Sequence, residues 1–198
     1  MNSAAPDLAE AHKGQRHRET TAVLGMSVFV ASWAMLFAAL FFAYAVTRAR
    51  ALAWPPPDLP ALPLGLPAWA TLAIALSSGA LITARRRPAQ ASVVAPLLWA
   101  ALGAVVFLAL QLTVWRGLYR AGLRPDTGSY ASVFYGLTTF HALHVLVGIF
   151  GLGALLWGAL RAARARRARD PIPLRLWTVY FHMVGVLWLL LYLGVYCL

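Results

Sequence analysis

Five apolar stretches, 21–46, 66–84, 93–115, 131–160 and 174–198, take up most of this chain. Each is long enough to cross about 30 Å of hydrocarbon as a helix rising about 1.5 Å per residue. Hydrocarbon offers no water to the peptide groups, so a spanning segment must satisfy them internally, and a single segment does so only as a helix. The chain is therefore expected to be an all-α, polytopic membrane bundle of five transmembrane helices. Residues 21–198 form one domain, and 1–20 precede it as a polar tail. Composition agrees, with 61% hydrophobic and 12% charged residues, far from the balance of a water-soluble domain. The first stretch reads as a retained helix: it is too long for a signal peptide, begins after twenty polar residues and lacks a small-x-small cleavage site.

Cations between the stretches set the orientation. With the N-terminus cytoplasmic, that side holds twelve Lys and Arg: Lys13, Arg16, Arg18, Arg85–Arg87, Arg161, Arg164, Arg166, Arg167, Arg169 and Arg175. The outer side holds five, Arg48, Arg50, Arg116, Arg120 and Arg124. The net charge of +11 then describes a basic membrane face and calls for no nucleic acid. The acidic residues are more selective. All six, Asp7, Glu10, Glu19, Asp58, Asp126 and Asp170, fall in the tail or the loops. A pump or cation-coupled transporter needs a titratable relay within the bilayer, so this pattern counts against either. Loops are short. The longest, 48–67, contains Trp54-Pro-Pro-Pro-Asp-Leu-Pro followed by Pro63 and Pro67, a stiff polyproline-like strap on the outer face.

Polar side chains within the apolar stretches are few, and His141, His144 and His182 lead them. Residues 141 and 144 lie about one turn apart on nearly the same helix face. Gln111, Thr113, Ser27 and Ser32 are the other polar groups placed to meet them. Two readings of the histidines stand. As ligands, His182 with His141 or His144 supplies the two axial imidazoles of a single b-type haem; all three make a zinc or copper set that lacks a carboxylate to orient any ring. As packing groups, they hydrogen-bond within the bundle or to a partner subunit. The single Cys197 excludes iron–sulfur and copper–thiolate clusters by ligand count. Gly148, Gly151 and Gly153 after the histidines, with Ala142 a turn before, offer a face that another helix can approach closely.

Five segments, ordered along the chain as in the family, carry a family resemblance. The run Phe140-His-Ala-Leu-His144-Val-Leu-Val-Gly148 resembles the Phe-His-x-x-His-Val-x-x-Gly signature of subunit III of the haem-copper terminal oxidases, typified by cytochrome c oxidase. Gly25 to Tyr44, with Ser32 near its middle, is similar to that family's first conserved helix. Leu76-Ser-Ser-Gly79 resembles the start of the next, and Phe107-Leu-Ala-Leu-Gln111 the third. Tyr180-Phe-His182-Met-Val-Gly-Val-Leu-Trp188 is similar to the last, with His182 and Trp188 in the family's places.

The resemblance spans residues 21–198, and five helices match the shorter bacterial form of the family. It implies an accessory subunit of a respiratory oxidase that reduces O2 and translocates protons, in the bacterial cytoplasmic (inner) membrane. Such a subunit binds no haem or copper itself, since those belong to partner subunits. It packs against the catalytic subunit I, in a complex with subunit II, and holds structural phospholipid. Related forms occur in quinol oxidases and in a nitric oxide reductase system, and both stay open beside the single-haem reading. His141, His144, His182, Gln111, Ser32, Tyr44 and Trp188 are then expected to make intramembrane polar packing, partner or lipid contacts. Three positions depart from the family pattern. The usual first-helix glutamate is Trp33, the one three residues after Gln111 is Val114, and the aspartate three after His182 is Gly185. Any proton-handling role of those carboxylates does not carry over to this chain.

Overall fold

The computed structural model describes residues 4–197, with the side chains of 14 and of 16 onward; residues 1–3 and Leu198, where the last expected span ends, lie outside the described residues. Five helices, α1 (Ala4–Arg50), α2 (Gly65–Arg86), α3 (Val94–Arg120), α4 (Ser129–Arg164) and α5 (Pro171–Leu191), are followed by a wider π-helical turn, Tyr192–Cys197. All five are long and apolar enough to cross a membrane. α1 to α4 overrun the C-terminal ends of their apolar stretches, where arginines in the last turns keep their stems along the helix and their charge in the interface. The largest difference from the sequence reading is at α1. The segment expected as a tail is helical from Ala4 and runs without a break into the first span.

Local chemistry explains where the helices stop. α1 ends ahead of Trp54-Pro-Pro-Pro, and α2 ends where Arg87, preceding Pro88, is extended at φ −77°, ψ 140°, because the residue before proline is disfavoured in the helical region. α3 closes on Gly122 at φ +96°, with the Leu123 N–H donating to the Leu118 carbonyl at 3.0 Å; glycine enters this left-handed region without steric cost. α4 closes with the same hydrogen-bond geometry, Arg167 N–H to the Ala162 carbonyl at 3.0 Å, through Arg166 at φ +51°. Asp170 caps α5, accepting from the Ile172 N–H at 3.0 Å, and Pro171 occupies its first turn.

α4 and α5 lie at the centre. α5 packs against α1, α2 and α4, while α4 packs against α1, α3 and α5; α2 and α3 form the closest pair. That closeness comes from small residues: a Cβ on Gly103 of α3 would stand 2.8 Å from the Ala73 carbonyl oxygen of α2. Beside it, the buried Ser77 hydroxyl donates to the Ala100 carbonyl at 2.6 Å. The glycines of α4 behave differently. Side chains of α5 fill the notches they leave, Phe181 against Gly148 and Trp177 against Gly151, whereas the space beside Gly153 is open. α1 is peripheral. Only 6% of its most apolar window is buried, against 28–44% in the other spans. Its tie at the basic end is the Glu19–Arg175 ion pair to α5.

Gly103→Val is expected to force α2 and α3 apart and destabilise the bundle by about 1–3 kcal/mol, read as a lowered unfolding midpoint in detergent. Gly79→Ala, where the added methyl meets open space, leaves the midpoint unchanged or raised.

Candidate functional site

The inward face of α4 carries both histidines of the signature, each 1% exposed. The His141 ring centre lies 5.5 Å from Phe107 of α3, 5.3 Å from Trp188 of α5 and 6.3 Å from Phe37 of α1. His144 stands 3.6 Å from Trp33 and 5.1 Å from Phe37, both on α1. The one-turn spacing thus delivers two imidazoles to one shared neighbour, Phe37. The His144 Nδ1–H donates to the Phe140 carbonyl one turn back, which sets its tautomer and leaves Nε2 as the acceptor. That Nε2, both ring nitrogens of His141 and Oε1 of Gln111 are buried without a hydrogen-bond partner. Aromatic walls from three helices close around these rings.

Around the pair runs a set of hydrogen bonds between helices. The Tyr180 hydroxyl donates to the His144 carbonyl at 2.9 Å. Trp188, fully buried, donates from Nε1 to the Thr71 hydroxyl at 2.8 Å and packs edge-on against Phe107 at 4.6 Å. Gln111 donates from Nε2 to the Tyr196 hydroxyl at 3.2 Å. The π-helical turn makes this last bond, since its extra residue per turn rotates Val195 and Tyr196 into the core.

The other expected residues lie elsewhere. His182 is half-buried, donates from Nδ1 to the Thr178 carbonyl at 2.7 Å and lines a separate recess with Ile82, Arg85 and Arg86. Ser32 is exposed and bonds back to the Val28 carbonyl; Ser27 and Thr113 likewise bond their own helices. Tyr44 is buried near the proline-rich loop, where it accepts from Arg48 Nη1 at 3.4 Å and flanks Trp54, which also stacks edge-on against Tyr130 at 4.8 Å. Of the positions where the sequence reading expected family acids, Trp33 packs on His144 and Val114 is buried in α3. A Cβ at Gly185 would meet only Ser78 Oγ, at 3.5 Å. Among the described residues no three His, Cys, Asp or Glu side chains gather. Sequence reasoning gave Phe37, Phe107, Thr71, Tyr180 and Tyr196 no place beside the histidines, although Phe37, Phe107 and Tyr180 lie in the segments that carry the family resemblance. The signal available was that Tyr180 and Tyr196 are aromatic groups with a polar tip, which seek a partner wherever they are buried.

Tyr196→Phe is expected to strand the Gln111 amide and cost about 1 kcal/mol or more. Gln111→Leu, which removes the buried amide altogether, costs less; unfolding midpoints in detergent for both variants give the comparison.

A family model described as Cytochrome c oxidase subunit III matches residues 9–198. A protein of Synechocystis sp. named Cytochrome c oxidase subunit 3 is 31% identical over 193 residues, covering 96% of this chain and 80% of its own. Proteins of the same name from Marchantia polymorpha and Thermostichus vulcanus are each 32% identical over 180 residues. These alignments cover 87% and 89% of this chain, and 66% and 87% of the relatives. With the signature histidines at the centre of a five-helix bundle and the match running nearly end to end, the chain belongs to the cytochrome c oxidase subunit III family.

Proposed function

We propose that this chain is the accessory subunit III of a haem-copper respiratory oxidase in the bacterial cytoplasmic membrane. It packs against catalytic subunit I in a complex with subunit II, holds phospholipid and stabilises the catalytic subunit, with haem and copper carried by its partners. The carrying observation is the family match over residues 9–198 on a bundle of five apolar helices. The relatives' shared name, Cytochrome c oxidase subunit 3, favours cytochrome c as electron donor over a quinol, and oxygen over nitric oxide as the acceptor. The twelve-to-five distribution of Lys and Arg supports a cytoplasmic N-terminus and a periplasmic C-terminus.

The interior supports a structural contribution. His141 and His144 are enclosed by Phe37, Phe107, Trp188 and Trp33 at ring-centre distances of 3.6–6.3 Å. A porphyrin between either ring and His182 would displace these side chains, so the single-haem reading is disfavoured on space. Trp33 replaces a family carboxylate with an indole against His144, exchanging a titratable group for packing. What the chain then supplies to the complex is shape, a lipid-facing surface and a rigid α4–α5 centre.

Purification from membranes through a tag on this chain is expected to bring down haem a or haem b with copper and the two partner subunits. A strain lacking the chain is expected to yield an oxidase whose turnover decays sooner. Recovery of the tagged chain without any haem-copper partner overturns the proposal.

A further inference from the structure

At the end of the bundle opposite the Glu19–Arg175 pair, α3, α4 and the loop between them border a recess of about 300 Å³. Trp115 and Tyr119 of α3 and Tyr135 of α4 make its walls, with Arg116 and Arg120 lining it beside them. The α3 residues form one stripe, since positions three and four apart share a helix face. That stripe looks away from the core. Gln111, Val114 and Leu118 are the buried residues of this part of α3, whereas Tyr119 is 52% exposed.

The walls are held in place. Trp115 donates from Nε1 to the Thr138 hydroxyl at 3.1 Å and the Tyr135 hydroxyl donates to the Leu123 carbonyl at 2.9 Å, so both rings are fixed by their polar tips. The Arg124 guanidinium lies 5.2 Å from the centre of the Tyr119 ring, and hydrogen bonds with Thr127 lock its backbone. Three cations thus stand around three rings. Among the described residues no carboxylate lies within ion-pair distance of these arginines, and Asp126, in the same loop, is not part of the recess. Trp, Tyr and Arg carry most of the binding energy at protein interfaces, and rings already fixed lose little freedom on binding. Aromatic residues near a membrane surface also serve as anchors, but an anchor needs only an exposed ring, whereas these rings close a concavity bordered by arginines.

We infer that this recess docks an acidic segment of a partner protein, with one aromatic or aliphatic side chain set among Trp115, Tyr119 and Tyr135 and carboxylates on Arg116 and Arg120. Spacing suits an extended segment. Arg116 and Arg120 stand about 6 Å apart along α3, and side chains on one side of an extended chain repeat about every 6.7 Å, so acids at alternate positions meet successive turns. Arg124, over Tyr119, continues the positive row into the loop. A phospholipid headgroup brings a single phosphate to this row, and its acyl chains run toward the bilayer centre, away from the loop end where Pro125 lines the recess. The docking rests on the geometry of α3 and α4 and needs no haem or copper in the partner.

The test uses the full chain, purified with its accompanying partners, washed at high salt and placed in phosphatidylcholine nanodiscs with or without phosphatidylglycerol. Fluorescence anisotropy in the discs without phosphatidylglycerol follows a dye-labelled peptide, Gly-Glu-Ser-Glu-Ser-Phe-Gly, and its counterpart with Gln in place of both Glu. The acidic peptide is expected to bind about tenfold more tightly, and to weaken as salt rises from about 0.05 M to about 0.5 M. Arg116→Gln combined with Arg120→Gln is expected to lower its affinity about tenfold, at about threefold for each exposed ion pair. Both side chains are exposed, so the unfolding midpoint of the double variant stays unchanged. Replacing the peptide's Phe with Ala weakens binding, and Arg161→Gln, at the far end of α4, leaves it as it was. Equal binding of the two peptides, binding of neither, or full binding by the double variant overturns the site. So does phosphatidylglycerol retained by the chain and lost in the double variant while the acidic peptide fails to bind, which assigns the cations to lipid headgroups.

Discussion

Hydrogen bonds from one helix to the next, made where no water competes, are what the rest of this bundle depends on. Trp188 to Thr71 ties α5 to α2, Tyr180 to the His144 carbonyl ties α5 to α4, and Ser77 to the Ala100 carbonyl ties α2 to α3. Trp115 to Thr138 at 3.1 Å ties α3 to α4, and Gln111 to Tyr196 holds the C-terminal turn against α3. Lipid tails are as apolar as leucine, so burial alone does not choose one helix arrangement over another. Each of these bonds is modest in energy, and together they set register and neighbour order around α4 and α5.

α1 is held by other means. Its Trp33 and Phe37 lie against His144, its Phe29 stacks on Tyr180 at 6.1 Å, and Glu19 pairs with Arg175. Trp33 of this seam stands 3.6 Å from His144, ring centre to ring centre. A ring that packs on imidazole brings no charge that would need compensation in hydrocarbon. The histidine signature therefore serves here as the hub of an aromatic interior shared by α1, α3, α4 and α5.

Much of this was legible in the residues themselves. The five spans follow from stretch length, because hydrocarbon thickness and helical rise leave a stretch of twenty apolar residues few options. The pairing of His141 and His144 on one face follows from helical period, and the family signature follows from residue order. Residues 4–20, read from their composition as a polar tail, are helical, since a run with several Ala, Glu and Arg continues a helix readily. The glycine face of α4 was legible as a notch but not as to its occupant, since Phe181 and Trp177 side chains, rather than a helix backbone, fill it.

By itself the sequence determined an all-helical membrane chain of five spans, the basic end of each loop set and membership of one family, because hydropathy, charge and residue order are properties of the chain taken one segment at a time. Tertiary structure alone decided that His182 stands apart from His141 and His144, that Ser32 turns outward while Tyr196 turns in, and that Arg167 and Arg169 border two adjoining recesses. Those outcomes depend on how helices rotate against each other and where a π-helical turn falls. Both are settled by contacts between residues as far apart as Thr71 and Trp188, and no local pattern encodes such contacts.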